Sequence, residues 1–234
     1  MQKNTRNPLI AIAMGVAAAV SVTQIRAATV PFTETFNAGS ANWYDSPGTS
    51  PLTWNVFGGP DGSPFASTTF NFVNNAPNDT PVFFRAQDEL GSSGGAFVGD
   101  WVTGGVNGVN ASVRHNAGVP LHFFVRFASP NNFPGADEVF SIPVPSGTWT
   151  SLSAALPNPS LIFEGPFTYG QVFGNIGHVQ IGVSVPQGLA GTDGSFSFDL
   201  DNVCIVPEPT TLALLLLGAC VVGRNVARRR SEAT

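Results

Sequence analysis

The sequence predicts an all-β body, a two-sheet antiparallel β-sandwich, set between an N-terminal signal helix and a short C-terminal hydrophobic helix. Three observations predict it. Glycine and proline number 26 and 19 while only 11% of residues are charged, the composition of many short strands joined by turns. Several runs alternate apolar and polar residues with a period of two, as strands with one buried face do. Two uninterrupted apolar stretches, one near each end, carry the flanks of targeting segments rather than of core strands.

Residues 1–28 read as a secretory signal peptide. Lys3 and Arg6 form a basic start, residues 8–22 are apolar, and Ala27 and Ala28 supply small residues for cleavage. The apolar run is too short to span a bilayer comfortably as an uncleaved anchor. Arg26 is an unusual neighbour for the cleavage site.

Residues 29–206 have the length of one all-β domain. They hold 13 acidic residues against Arg85, Arg114 and Arg126 and no lysine. Such a surface repels phosphate backbones, which excludes nucleic acid as a partner and favours divalent cations. Cys204 lies in the last predicted strand and Cys220 in the tail, so the body has no disulfide framework. Eleven strands are expected, at 31–36, 52–57, 67–73, 81–86, 96–101, 109–115, 121–127, 138–142, 148–153, 178–185 and 195–205, and that number at that spacing favours two packed sheets. The strongest alternations are Phe70 and Phe72; Phe123, Val125 and Phe127; Val179, Ile181, Val183 and Val185; and Phe196, Phe198 and Leu200. These four runs carry most of the core, and each buried phenylalanine contributes about 1.5–3 kcal/mol, so the phenylalanines of the body suffice without cofactor or disulfide. Segments 74–81, 131–136 and 157–166 are rich in proline and asparagine or glycine and read as loops. No helical period of useful length appears in the body.

Catalytic motifs fare poorly. Gly91-Ser92-Ser93-Gly94-Gly95 satisfies G-x-S-x-G, but a nucleophile elbow needs a strand before the serine and a helix after it, and neither is expected there. His115, His122 and His178 are too scattered for a zinc motif. Paired carboxylates for glycoside cleavage are a spatial arrangement that spacing in the chain does not reveal. The body is therefore expected not to be an enzyme.

The tail, residues 207–234, opens with Pro207-Glu208-Pro209, continues through an apolar run of leucine and small residues at 210–223, and closes with Arg224, Arg228, Arg229 and Arg230. The two prolines end any preceding strand. A helix of about 11 strongly apolar residues covers only ~17 Å of the ~30 Å bilayer core, and the arginines favour the cytoplasmic leaflet. This order of features resembles the PEP-CTERM sorting signal of bacterial envelope proteins. The resemblance implies export, transient membrane insertion through the C-terminal helix, and processing near Pro-Glu-Pro by an exosortase-type enzyme that leaves the body at the cell surface or in the extracellular matrix.

Two motifs at the ends of the body carry a second resemblance. Glu34 lies in Phe32-Thr33-Glu34-Thr35-Phe36, ahead of Asn42-Trp43, and the closing strand reads Phe198-Asp199-Leu200-Asp201-Asn202-Val203. This pairing resembles carbohydrate-binding, galactose-binding-like jelly rolls. It implies a jelly-roll sandwich and a structural Ca²⁺ with Glu34 and Asp201 among its ligands; otherwise Asp199 and Asp201 line a solvated strand face. Sugar binding needs aromatic faces beside hydrogen-bonding groups. Of Trp43, Tyr44, Trp54, Trp101 and Trp149, the pair Trp43 and Tyr44, next to a turn-rich loop, is the expected glycan-binding site, while Trp101 and Trp149 read as structural.

Two function classes follow. One is an exported, non-catalytic surface or matrix protein that engages extracellular polysaccharide. The other is a secreted hydrolase of glycans or esters whose site is assembled from loops.

Overall fold

A computed structural model describes residues 26–207. In chain order the strands are β1 (Phe32–Glu34), β2 (Thr53–Asn55), β3 (Phe65–Asn71), β4 (Val82–Gln87), β5 (Val106–His115), β6 (His122–Ala128), β7 (Gly135–Val139), β8 (Thr150–Ala155), β9 (Ile162–Phe163), β10 (His178–Ser184) and β11 (Ser195–Pro207), with one short helix, α1 (Tyr169–Phe173), before β10. The expected signal and tail helices, with Glu208, Pro209, Arg228, Arg229 and Arg230, lie outside the described residues. Among the described residues no helix is long and apolar enough to cross a membrane.

The strands form two sheets with antiparallel pairing, the expected sandwich. One runs β2-β3-β11-β5-β8 with β1 also on β11, and the other runs β4-β10-β6-β7-β9. The alternating residues named above meet between them. Phe198 packs on Phe83 with ring centroids 4.0 Å apart and touches Phe72 and Phe123. His115, 1% exposed, stacks on Phe198. Its Nδ1 accepts from the Ala117 N–H and its Nε2 meets the Val144 carbonyl at 3.0 Å, so this histidine is a satisfied core residue whose pKa burial lowers.

Three local expectations are corrected. Residues 96–101 are not a strand. Gly94, Gly95 and Gly99 sit at positive φ, the segment turns, and Trp101 is buried through contacts with Phe127 and Phe173 and a hydrogen bond to the Phe97 carbonyl. The loop expected at 157–166 contains β9, and β7 starts at Gly135 rather than at 138, because both pair outward from β6. The helix α1 was invisible to periodicity at five residues, although Thr168 and Gln171 form a capping box that marks its start.

The packed body also starts earlier than residue 29. Ala28 is 9% exposed, the Asp100 N–H donates to the Arg26 carbonyl, and Ala27 bridges Asp100. A Cβ at Gly99 would lie 1.8 Å from the Arg26 oxygen, so only glycine admits this segment. The boundary expected between 28 and 29 therefore falls within packed chain.

Candidate functional site

The outward side of the five-stranded sheet presents one continuous row of residues. In antiparallel sheets directly paired residues project to the same side, and the registers Tyr44↔Arg85, Arg85↔Gln180, Gln180↔Arg126, Arg126↔Asp137 and Asp137↔Ile162 cross the whole sheet. Five inter-strand steps of about 4.8 Å give a track of roughly 24 Å. The inward side of the same strands carries Ile181, Val125 and Ala136, all fully buried. Alternation thus fixes which residues face out.

Arg126 organises the middle of the row. Its guanidinium donates to both carboxylate oxygens of Glu164, to the Asn132 side-chain and main-chain oxygens at 2.7 and 2.9 Å, and to Gln180 Oε1 at 2.9 Å. That uses the five N–H donors of an arginine. Gln180 is 1% exposed, and with its oxygen held by Arg126 its Nε2 has no partner; Asp137 Oδ1 is equally buried and unpaired. A donor and an acceptor thus stand unsatisfied on either side of one fixed guanidinium, an arrangement that costs stability unless something polar fills it. At the other end, Arg85 Nε donates to the Ser46 carbonyl at 2.7 Å, which anchors the loop after Tyr44.

Charge in the row is balanced, with Arg85 and Arg126 against Asp137 and Glu164. Burial, then the Glu164 charge, raises the Asp137 pKa to about 6, with Arg126 opposing. Beside the row, His178 lies between Glu89 and Asn132, its Nε2 3.0 Å from Glu89 Oε2 and its Nδ1 3.1 Å from Asn132 Oδ1. Its side chain is 4% exposed, so it is covered, and burial lowers its pKa against the Glu89 charge. The rim is apolar. Ile162 and Phe133 are 59% and 54% exposed, and the Phe133 ring meets Phe167 edge-on at 5.0 Å.

The expected site residues are only partly brought together. Tyr44 is half-buried and stands in the row. Trp43 is corrected: it is fully buried, packs edge-on against Phe36 and Phe97, and donates its indole N–H to Ser93 Oγ, so its face is not offered to a sugar. Tyr44 pairs outward and Trp43 inward because neighbours in an extended segment alternate sides. The same contact occupies the serine of the G-x-S-x-G match, and Ser92 donates to the Asn42 carbonyl. Sequence reasoning missed Arg85, Arg126, Asp137, Glu164 and Gln180. Arginine in a chain with so few cations was the one available signal.

Glu34 and Asp201 lie in adjacent strands, with Glu34 opposite Val203. Asp201 is 1% exposed and is covered rather than solvated, as is Asp199 at 8%. Asp201 accepts from Ser63 Oγ and from the Asn202 N–H, and Glu34 accepts from the Phe36 N–H. Burial raises the Asp201 pKa, and the charges of Asp61 and Glu34 add to the shift. Beside Glu34 the loops at 38–42 and 91–94 enclose a cavity of about 560 Å³. These oxygens have the chemistry a hard cation takes, but among the described residues no three His, Cys, Asp or Glu side chains converge, against the 6–8 oxygens Ca²⁺ collects. Backbone carbonyls or water must complete any such site.

Residues 206–231 match the PEP-CTERM protein-sorting motif. The chain carries an export and sorting signal. The PEP-CTERM match begins inside β11, whose last residues Val206 and Pro207 pair with Gly108 and Val106. No curated protein matches the sequence. Similar solved structures include the family 11 carbohydrate-binding module of a cellulosomal cellulase of Clostridium thermocellum, at 14% identity, 78% of this chain, 97% of that one and TM-score 0.47. Another is a xylan-binding domain from Paenibacillus barcinonensis, at 12% identity, 78% of this chain, 99% of that one and TM-score 0.44. A third is the xylanase 10B of Clostridium thermocellum complexed with xylohexaose, at 17% identity, TM-score 0.47 and 76% of this chain, which spans 28% of that chain's length.

The raised Asp137 pKa has a signed consequence. The folded state holds this proton more tightly than the unfolded one, so the stability it contributes is full below pH ~3.8 and is lost as pH rises through about 6. Asp137→Asn removes that dependence. Melts from pH 4 to 7.5 should therefore show the variant gaining on the native protein as pH rises, whereas a flat difference would mean that Asp137 is not held in this environment.

Proposed function

We propose that this is an exported, non-catalytic protein of the cell surface or extracellular matrix that binds neutral polysaccharide along the Tyr44–Ile162 row. The observation that carries the reading is the unpaired, buried Gln180 Nε2 and Asp137 Oδ1 on a charge-balanced face. A sugar hydroxyl both donates and accepts, so it can serve either atom once the side chains that cover them shift on binding. Tyr44 at one end and Phe133 on the rim supply rings to stack on sugar faces. A glycan array on the purified protein, followed by titration calorimetry with the best oligosaccharide, tests it. Gln180→Ala should weaken binding roughly tenfold, about 1–2 kcal/mol for one hydrogen bond to a buried partner, while Trp43→Phe leaves affinity unchanged. Equal affinity of Gln180→Ala and the native protein would sink the assignment.

One observation favours the hydrolase alternative. Asp137, with a pKa of about 6 beside Glu164, has the properties of a glycosidase acid next to a second carboxylate. Against it, both Glu164 oxygens are held by Arg126, which leaves no free nucleophile or base. Release of reducing ends from a bound oligosaccharide, abolished in Asp137→Asn, would establish the hydrolase and replace the binding reading.

The sorting signal supplies the route. An exosortase-type enzyme and, transiently, the membrane are the partners we assign to residues 207–234. Because β11 is paired through Pro207, the body meets the motif with no spacer, and the processed body is expected to end at or beyond Val206. Glu208→Ala should block tail processing in cells while the apolar run still inserts, as followed by immunoblot and membrane fractionation. Unchanged processing would reduce the triplet to a strand terminator.

A structural Ca²⁺ held by Glu34 and Asp201 is proposed with it. Binding only to the folded state contributes RT ln(1 + [L]/Kd), about 2.7 kcal/mol at 100-fold excess over Kd. Calcium should raise the melting temperature by several degrees, and chelator or Asp201→Asn should abolish the rise. An unchanged melt in chelator would show that the protein does not use the ion.

A further inference from the structure

We propose that the outward side of the six-stranded sheet is a second binding site for a neutral glycan segment, so that one molecule bridges two polysaccharide chains. The registers Thr53↔Ser67, Ser67↔Asp199 and Asp199↔Arg114 set a second polar row across β2, β3, β11 and β5. Along it lies a cavity of about 490 Å³, within the ~300–1,000 Å³ of small-molecule sites. It uses none of the residues of the first row.

The walls are held in place. Arg114 Nε donates to Asp199 Oδ2 at 2.7 Å, with the two side chains 27% and 11% exposed. The guanidinium lies 4.7 Å from the Trp149 ring centroid and 5.2 Å from that of Phe65, and those rings meet edge-on at 5.6 Å. Trp149 is fixed in turn by its indole N–H on the Gly58 carbonyl. Asn55 Nδ2 donates to Ser67 Oγ at 2.8 Å. The far wall is the loop after Tyr44, closed by the Asp45 and Ser50 backbones and by Asp45 Oδ1, which accepts from the Thr49 and Ser50 N–H groups. That loop forms one end of the first row on its other side, so a single segment borders both sites.

The lining chemistry selects the ligand class. Ser50, Thr53, Ser67, Thr69 and Ser197, all hydroxyl-bearing, line the space together with Asn55. Its one cation, Arg114, is already neutralised by Asp199, and Asp45 adds negative charge, so an anionic ligand meets no uncompensated partner. A metal ion would have to take Asp199 from Arg114. Hydroxyls that both donate and accept suit vicinal sugar hydroxyls.

Titration calorimetry of the purified protein tests this with cellohexaose, xylohexaose, mannohexaose and, as the anionic control, hexagalacturonate. The native protein should bind two neutral hexasaccharides per chain, and long neutral polymer should turn its solutions turbid. Thr69→Trp, which fills the second cavity, and the milder Thr53→Val with Ser197→Val should each reduce the stoichiometry to one and abolish turbidity, at unchanged melting temperature. Gln180→Ala should independently weaken only the first site. One hexasaccharide per chain lost in Gln180→Ala and kept in both second-face variants overturns the second site and leaves the first. One lost in the second-face variants and kept in Gln180→Ala overturns the first and leaves a single site here. Preference for hexagalacturonate at the second face, or no binding of any neutral probe, also overturns the proposal.

Discussion

The alternation of β11 is the constraint on which most of this molecule depends. Thirteen residues long, it lies between β3 and β5 and takes β1 on the same side as β3. Its inward residues Phe198 and Leu200 are fully buried between the sheets. The outward ones, Asp199 and Asp201, must then be satisfied on the other side: Arg114 reaches Asp199, and Ser63 from the loop between β2 and β3 reaches Asp201. Both carboxylates are raised in pKa by burial, a cost accepted because a strand cannot bury one neighbour without projecting the next the other way. Asn202, at φ 51, marks the bulge after which β1 replaces β3 as the neighbour of β11. The strand then runs into the sorting motif, so the core and the export signal share one segment of chain.

The three arginines of the body divide the electrostatic work. In a chain this acidic each cation is placed where it compensates a buried or half-buried carboxylate, Arg126 with Glu164 and Arg114 with Asp199, or fixes a loop, as Arg85 does with Ser46. The row on the five-stranded sheet is consequently polar and charge-balanced, and on the six-stranded sheet the one cation is matched by Asp199 with Asp45 adding negative charge, while the body as a whole is strongly negative. Neutral hydroxylated ligands are compatible with such faces; polyanions are repelled at a distance and find no unpaired cation at close range.

Much of this was legible in the sequence. Four alternating runs gave the core strands because period-two burial is written directly into residue order, and Phe123, Val125, Phe127, Ile181 and Phe198 are all fully buried. The errors lie where tertiary contact overrides local pattern. Residues 96–101 look like a strand in composition, but glycines at positive φ turn the chain and bury Trp101 without a ladder. Short β9 and α1 exist because β7 and the core support them, and two or five residues carry no periodic signal. Exposure was misjudged for Trp43 and Asp201, since both depend on loops from elsewhere in the chain, at Ser93 and at Ser63, folding over them.

By itself the sequence determined the sandwich class, the strands that fill its core, the acidic character of the body and the sorting signal, because each is a property of contiguous residues: alternation, composition, or an ordered motif at 206–231. Only the tertiary structure decided the candidate site. Tyr44, Arg85, Gln180, Arg126, Asp137 and Ile162 are spread over 137 positions of the chain and become one row only when five strands take their registers. Likewise, Asp137 Oδ1 is unpaired because all five N–H groups of Arg126 are already committed to Glu164, Asn132 and Gln180. Register and competition for hydrogen-bond partners are properties of the assembled sheet, and no local pattern encodes them.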